Sequence, residues 1–92
     1  MKTIRKVEII PVFVDTIPME MEDQKVYISK KYGCSVHRCL CGCGEKTVLP
    51  LGVDQWTLIE NGNKVSFTPS VGNFQFDCKS HYIITNNVAN FV

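Results

Sequence analysis

No stretch of this chain approaches the roughly 18 consecutive apolar residues of a membrane-spanning helix, so no membrane span is expected. Neither sign of charge dominates. Ten Lys and Arg against nine Asp and Glu leave a net charge of +1, which gives no general electrostatic footprint for nucleic acid. A patch formed by Lys2, Arg5, Lys6, Lys30, Lys31 and Arg38 reads as a solvated face. There is no H-E-x-x-H pair, which removes the zincin arrangement of two histidines and a glutamate base. Linkers, repeats and low-complexity tracts are also missing, and a hydrophobic fraction of 45% over 92 residues is that of one globular domain, residues 1–92. Met1 to Lys6 begin like the charged start of a signal peptide, yet Glu8, Pro11 and Asp15 interrupt any continuous apolar segment. The expected compartment is therefore the reducing cytoplasm, and five cysteines, an odd number, cannot all pair within the chain.

What is present is a pair of ligand-rich clusters. Cys39-Leu40-Cys41-Gly42-Cys43-Gly44 is followed, well downstream, by Cys78-Lys79-Ser80-His81. Thiolates are soft ligands suited to zinc, and a C-x-x-H pair can present a sulfur and an imidazole nitrogen to the same ion. Gly42 and Gly44 belong to the motif because a backbone delivering several ligands to one point must turn tightly. The bland alternative is that these cysteines are small buried hydrophobes. The candidate ligands are Cys39, Cys41, Cys43, Cys78 and His81, with His37 and Cys34 behind them. A straight strand spreads alternate residues by roughly 6 to 7 Å, so the central cysteines cannot all reach one ion without a bend. The preferred set is Cys78 and His81 with Cys41 and Cys43, leaving Cys39 as an alternative ligand or a neighbouring thiol. His37 is read either as a hydrogen-bonded strand histidine or as a general base beside the metal. A chain of this size buries only roughly 60 to 65% of its unfolded surface, and a metal cross-link would add materially to its stability.

Strand signals dominate, and no long amphipathic helix is evident. The expected fold is a small, mainly β, zinc-stabilised domain of sheet and hairpins with little helix. Val7 to Val14 is rich in β-branched and aromatic residues, with Pro11 marking an edge strand or a break. Lys25 to Ser29 alternates apolar and polar as a half-buried strand does. Thr47 to Leu49 runs until Pro50, and Gly52-Val53-Asp54 reads as a turn. Trp56 to Glu60, the loop Asn61-Gly62-Asn63 and Lys64 to Thr68 form the clearest hairpin. Pro69-Ser70 ends it, Val71-Gly72-Asn73 reads as another turn, and Tyr82 to Phe91 forms a final hairpin around Asn86-Asn87.

The order His37-x-Cys39-x-Cys41-Gly42-Cys43-Gly44, Pro69-Ser70-x-Gly72-Asn73, Cys78-x-Ser80-His81-Tyr82 resembles a small prokaryotic domain-of-unknown-function family. That family is found beside bacterial ubiquitin-like modifiers and their conjugation enzymes. The resemblance runs from about Lys25 to Phe91 and includes Trp56. It implies zinc binding and a place in ubiquitin-like conjugation or processing within antiphage-defence operons, with a ubiquitin-like protein or its conjugation enzymes as partners.

Three function classes follow. The first is an accessory module, a zinc-pinned β-domain that recognises a ubiquitin-like partner or its extended tail by strand addition. The second is a peptidase using Ser70, Ser80 or an unligated Cys39 as nucleophile and His37 as base, with that tail as the substrate the resemblance implies. The third is a nucleic-acid-binding zinc ribbon using Arg38, Lys46 and Lys79 with Trp56 and Tyr82, against which the near-neutral charge argues. Thiolate-rich zinc sites are structural more often than catalytic, which places recognition first.

Overall fold

Pro11 lacks the backbone N–H that a central strand would need, and the chain places it on a sheet edge. The computed structural model describes residues 5–92; Met1 to Ile4, and with them Lys2 of the basic patch, lie outside it. Strand β1 (Lys6–Glu8) is followed, after the single residue Ile9, by β2 (Ile10–Phe13), which carries Pro11. The two strands belong to different sheets. Ile9 is the crossing point, only 4% exposed, with its N–H donated to the Asn87 carbonyl at 2.8 Å.

The remaining strands are β3 (Lys25–Ser29), β4 (Cys34–Arg38), β5 (Lys46–Pro50), β6 (Thr57–Asn61), β7 (Lys64–Thr68), β8 (Val71–Gly72), β9 (His81–Thr85) and β10 (Val88–Phe91). They form a four-stranded sheet in the order β1-β10-β9-β8, a second in the order β2-β3-β4-β5, and the β6-β7 hairpin. No helix occurs among the described residues, so none is long and apolar enough to cross a membrane. The domain is mainly β, as the sequence leads one to expect.

Several local features depart from the sequence expectations. Along β3, Val26, Tyr27, Ile28 and Ser29 are all buried, because the strand lies between β2 and β4. Its polar end is accommodated by hydrogen bonds: Ser29 Oγ donates to the Asp15 carbonyl at 2.7 Å, and neighbouring Ser35 Oγ donates to the Tyr27 carbonyl at 3.1 Å. In the β6-β7 hairpin, Asn61 pairs with Lys64, so the loop shrinks to Gly62-Asn63 with Gly62 at φ 64°. Val71-Gly72 is a short strand on β9, where the sequence suggests a turn. The Asn86-Asn87 turn has positive φ at both residues, 47° and 66°, the geometry that matches the twist of a two-residue hairpin.

The core lies where the β6-β7 hairpin packs against β9, with Val65, Phe67, Tyr82 and Ile84 nearly or fully excluded from solvent. Asn87 fastens the two units: its N–H donates to the Val65 carbonyl at 2.9 Å and its Oδ1 accepts from the Val65 N–H at 2.8 Å. Strand β9 points Tyr82 and Ile84 inward, so His81, Ile83 and Thr85 take the outer face. That alternation sets the location of the functional groups.

Phe67 is fully buried, and Phe67→Ala should destabilise the domain by about 3 to 5 kcal/mol in urea unfolding. Ile59→Ala, at a position 46% exposed, should stay within about 0.5 kcal/mol of the parent.

Candidate active site and four-cysteine cluster

The bend needed to gather the central cysteines begins where β4 ends. Cys39 N–H donates to the Glu45 carbonyl at 2.7 Å, and Gly42 N–H donates back to the Cys39 carbonyl at 3.1 Å. Gly42 and Gly44 hold φ of 96° and 85°, which L side chains rarely adopt. From the other side, Phe76 N–H bonds the Asn73 carbonyl and Lys79 N–H bonds the Phe76 carbonyl, both at 3.1 Å, curling residues 73–79 so that Cys78 meets the knuckle.

The sulfurs of Cys39, Cys41, Cys43 and Cys78 then lie within 4.8 Å of one another. Three of the separations are 3.4 Å for Cys39–Cys41, 3.7 Å for Cys39–Cys78 and 3.6 Å for Cys43–Cys78. A tetrahedron with metal–sulfur bonds of about 2.3 Å requires sulfur–sulfur distances of about 3.8 Å, so the four positions fit a metal ion. All five cysteines are free of disulfides, and Cys34 lies outside the cluster at the start of β4.

Donors surround the sulfurs. Ser80 Oγ is 3.0 Å from Cys39 Sγ and 3.5 Å from Cys78 Sγ, Asn73 Nδ2 donates to Cys39 Sγ at 3.3 Å, and Cys43 N–H donates to Cys41 Sγ at 3.3 Å. Hydrogen bonds from the side chain and backbone of Ser80 pull the Cys78 thiol down to about 6, into the range where it is a thiolate at neutral pH. Burial, followed by the hydrogen bond with Cys39, pushes Cys41 up to about 12. Four sulfurs this close repel one another when ionised, and a cation among them reverses that balance. The donor set thus suits a soft or borderline metal.

His81 is elsewhere. The preferred set of Cys78, His81, Cys41 and Cys43 is not the one the fold assembles: Cys39 joins the cluster and His81 is outside it. The reason is strand alternation, since Ser80 and Tyr82 are buried while His81 between them is half-buried on the opposite face. There His81 Nε2 lies 2.7 Å from Ser70 Oγ. Ser70, also half-buried, follows the cis peptide Thr68–Pro69 and directly precedes β8. The Gly72↔His81 pairing of β8 with β9 holds the two side chains together. No carboxylate is hydrogen-bonded to His81 among the described residues, so the arrangement is a pair and not a triad.

Phe74 completes this face. Its ring is 5.4 Å from the His81 ring and 62% exposed, and a Cβ on Gly72 would sit 2.6 Å from its edge. Gly72 is therefore the residue that lets the aromatic ring lie beside the histidine.

His37 and Ser80 are not placed as base and nucleophile for one another or for Ser70. His37 is fully buried, its Nε2 is 2.7 Å from the Tyr82 hydroxyl, and burial lowers its pKa to about 4, which keeps the ring neutral. Ser80, 9% exposed, is turned to the cysteines. The sequence signal for the Ser70–His81 pairing was available only through register: the inward alternation of Ser80 and Tyr82 leaves His81 facing out.

Neither a curated protein nor a solved structure matches the chain. Residues 13–92, which include both cysteine clusters, Ser70 and His81, match the family described as bacterial ubiquitination-like system serine protease (BubE), and the chain belongs to that family.

Proposed function

We propose that this protein is a serine peptidase that cleaves at the C-terminal tail of a ubiquitin-like protein, in the cytoplasm beside the conjugation enzymes of that system. The observation that carries the reading is the 2.7 Å contact between His81 Nε2 and Ser70 Oγ on a solvent-accessible face. A serine hydroxyl is a weak nucleophile until an adjacent base can take its proton, and this is the nitrogen and the distance that the transfer needs. Ser70 Oγ attacks the scissile carbonyl carbon as its proton passes to His81 Nε2. The tetrahedral intermediate collapses, the C-terminal fragment leaves as an amine with that proton, and the ubiquitin-like protein remains as an ester of Ser70 through its new C-terminal carbonyl. Water then attacks the ester as its proton passes to His81 Nε2, which returns the proton to Ser70 Oγ as the ubiquitin-like protein departs with a new C-terminal carboxylic acid.

Phe74 beside His81 gives the tail an apolar wall, and Gly72 leaves room for it. The family's place in a ubiquitination-like system supplies the class of partner. Recognition without chemistry, the reading the sequence favours, gives no reason to hold a serine and a histidine at hydrogen-bond distance.

Zinc is the proposed ion at Cys39, Cys41, Cys43 and Cys78, as a closed structural site with no position left for water. It contributes stability, whereas the peptide chemistry lies with Ser70 and His81.

Ser70→Ala and His81→Ala should each reduce cleavage of a ubiquitin-like precursor by at least about 10³-fold, measured by the mass of the released C-terminal fragment, with unchanged thermal unfolding. His37→Ala should act on stability instead, since it removes the shorter of the Tyr82 hydroxyl's hydrogen bonds and leaves only the one from Asn73 Nδ2, at a cost of about 1 to 3 kcal/mol in urea unfolding. Metal analysis separates the two sites in a further way. His81→Ala should retain about one zinc with four sulfur neighbours at about 2.3 Å in X-ray absorption, while Cys78→Ser loses zinc and lowers the melting temperature.

A further inference from the structure

We propose that Asn73 and Ser80 are positioning residues that fasten the Ser70–His81 pair to the four-cysteine cluster, so that occupancy of the sulfur site sets the reactivity of Ser70. The inference rests on the peptidase reading and adds to it a control built from two buried polar side chains. Ser80 immediately precedes His81, and Asn73 lies three residues after Ser70. The two segments are tied directly by the Asn73 N–H, which donates to the Ser80 carbonyl at 2.8 Å.

Both side chains end on the same sulfur. Ser80 Oγ is 3.0 Å from Cys39 Sγ and Asn73 Nδ2 is 3.3 Å from it, with exposures of only 9% and 2%. Asn73 Nδ2 also lies 3.3 Å from the Tyr82 hydroxyl, which anchors the amide against the inner face of β9. A buried amide and hydroxyl need partners, and a thiolate fixed in a metal tetrahedron is a stationary acceptor for both. With Cys39 held, the backbone at Asn73 and Ser80 is held, and the side chains of Ser70 and His81 project from segments that cannot drift apart. Without that anchor, the turn that carries Cys78 and the start of β9 lose the partner they share. A Ser–His contact is sensitive to displacements of this kind, because proton transfer requires hydrogen-bond reach.

The test uses the whole chain loaded with cobalt(II) in place of the native ion, and a fluorophosphonate probe that bonds to an activated serine and releases fluoride. Cobalt reports the thiolate environment by its thiolate-to-metal absorption, independently of any activity. Ser80→Ala and Asn73→Ala should still bind one cobalt, shift that absorption, and slow labelling of Ser70 by about 10- to 100-fold, the usual scale for removing a group that orients a metal ligand. Ser80→Thr, which restores the hydroxyl, should label within about twofold of the parent. In the unsubstituted protein, labelling should rise in step with metal added back to metal-depleted material, which keeps the proposal testable if Asn73→Ala does not fold. Parent-like labelling in a metal-loaded Ser80→Ala variant, or a rate independent of metal content, overturns the coupling and leaves the peptidase reading intact. A metal-loaded parent protein that never labels at Ser70 overturns the peptidase reading and the coupling together.

Discussion

Four sulfurs drawn within 4.8 Å of one another are the constraint on which the rest of this structure depends. The four positions could hold a metal ion, and the chain meets that geometry with two unlike segments. One is a glycine-bearing knuckle between β4 and β5, the other a turn ahead of β9. Joining them fixes contacts far apart in sequence in a domain whose core is necessarily small. The donors placed on the sulfurs come from Ser80, Asn73 and the Cys43 backbone, so the cluster organises the polar groups around it as well as the chain.

The start of β9 divides two kinds of chemistry between two faces. Ser80 and Tyr82 turn inward, the first to the cysteines and the second to His37 and Asn73. His81 turns outward to Ser70. A one-residue slip in the pairing of β8 with β9 would exchange these faces, burying the histidine and exposing the tyrosine. The Gly72↔His81 register thus decides which side chains share a face, and the adjacent Gly72–Phe74 contact leaves no space there for a larger residue.

Much of this was legible in the sequence because it depends on local chemistry. The mainly β character, the edge position of Pro11 and the Asn86-Asn87 hairpin follow from residue types and spacing, as does a cysteine cluster drawn from both motifs, although spacing favours His81 over Cys39 in it. What spacing does not convey is which way a side chain faces after a turn. Cys78 and His81 read as a C-x-x-H ligand pair, yet Lys79 adopts φ 46° and the chain then extends, which separates the sulfur from the imidazole. His37 reads either as a hydrogen-bonded strand histidine or as a general base, and β4 gives it the first role by burying it completely against Tyr82. Val71-Gly72 reads as a turn on composition, and only its antiparallel partner makes it a strand. In each case a tertiary contact decides between two locally permissible conformations.

The stretch that matches the BubE family carries both features, the Ser70–His81 contact and the four-cysteine cluster. The most direct test of the central claim is to trap the covalent intermediate: incubate the metal-loaded protein with a ubiquitin-like substrate, quench in acid and map the adduct by mass spectrometry. Ser70 should then carry the ubiquitin-like protein, joined through its new C-terminal carbonyl as an ester that hydroxylamine releases. An adduct on a cysteine or on Ser80, or cleavage that persists undiminished in Ser70→Ala, would contradict the claim.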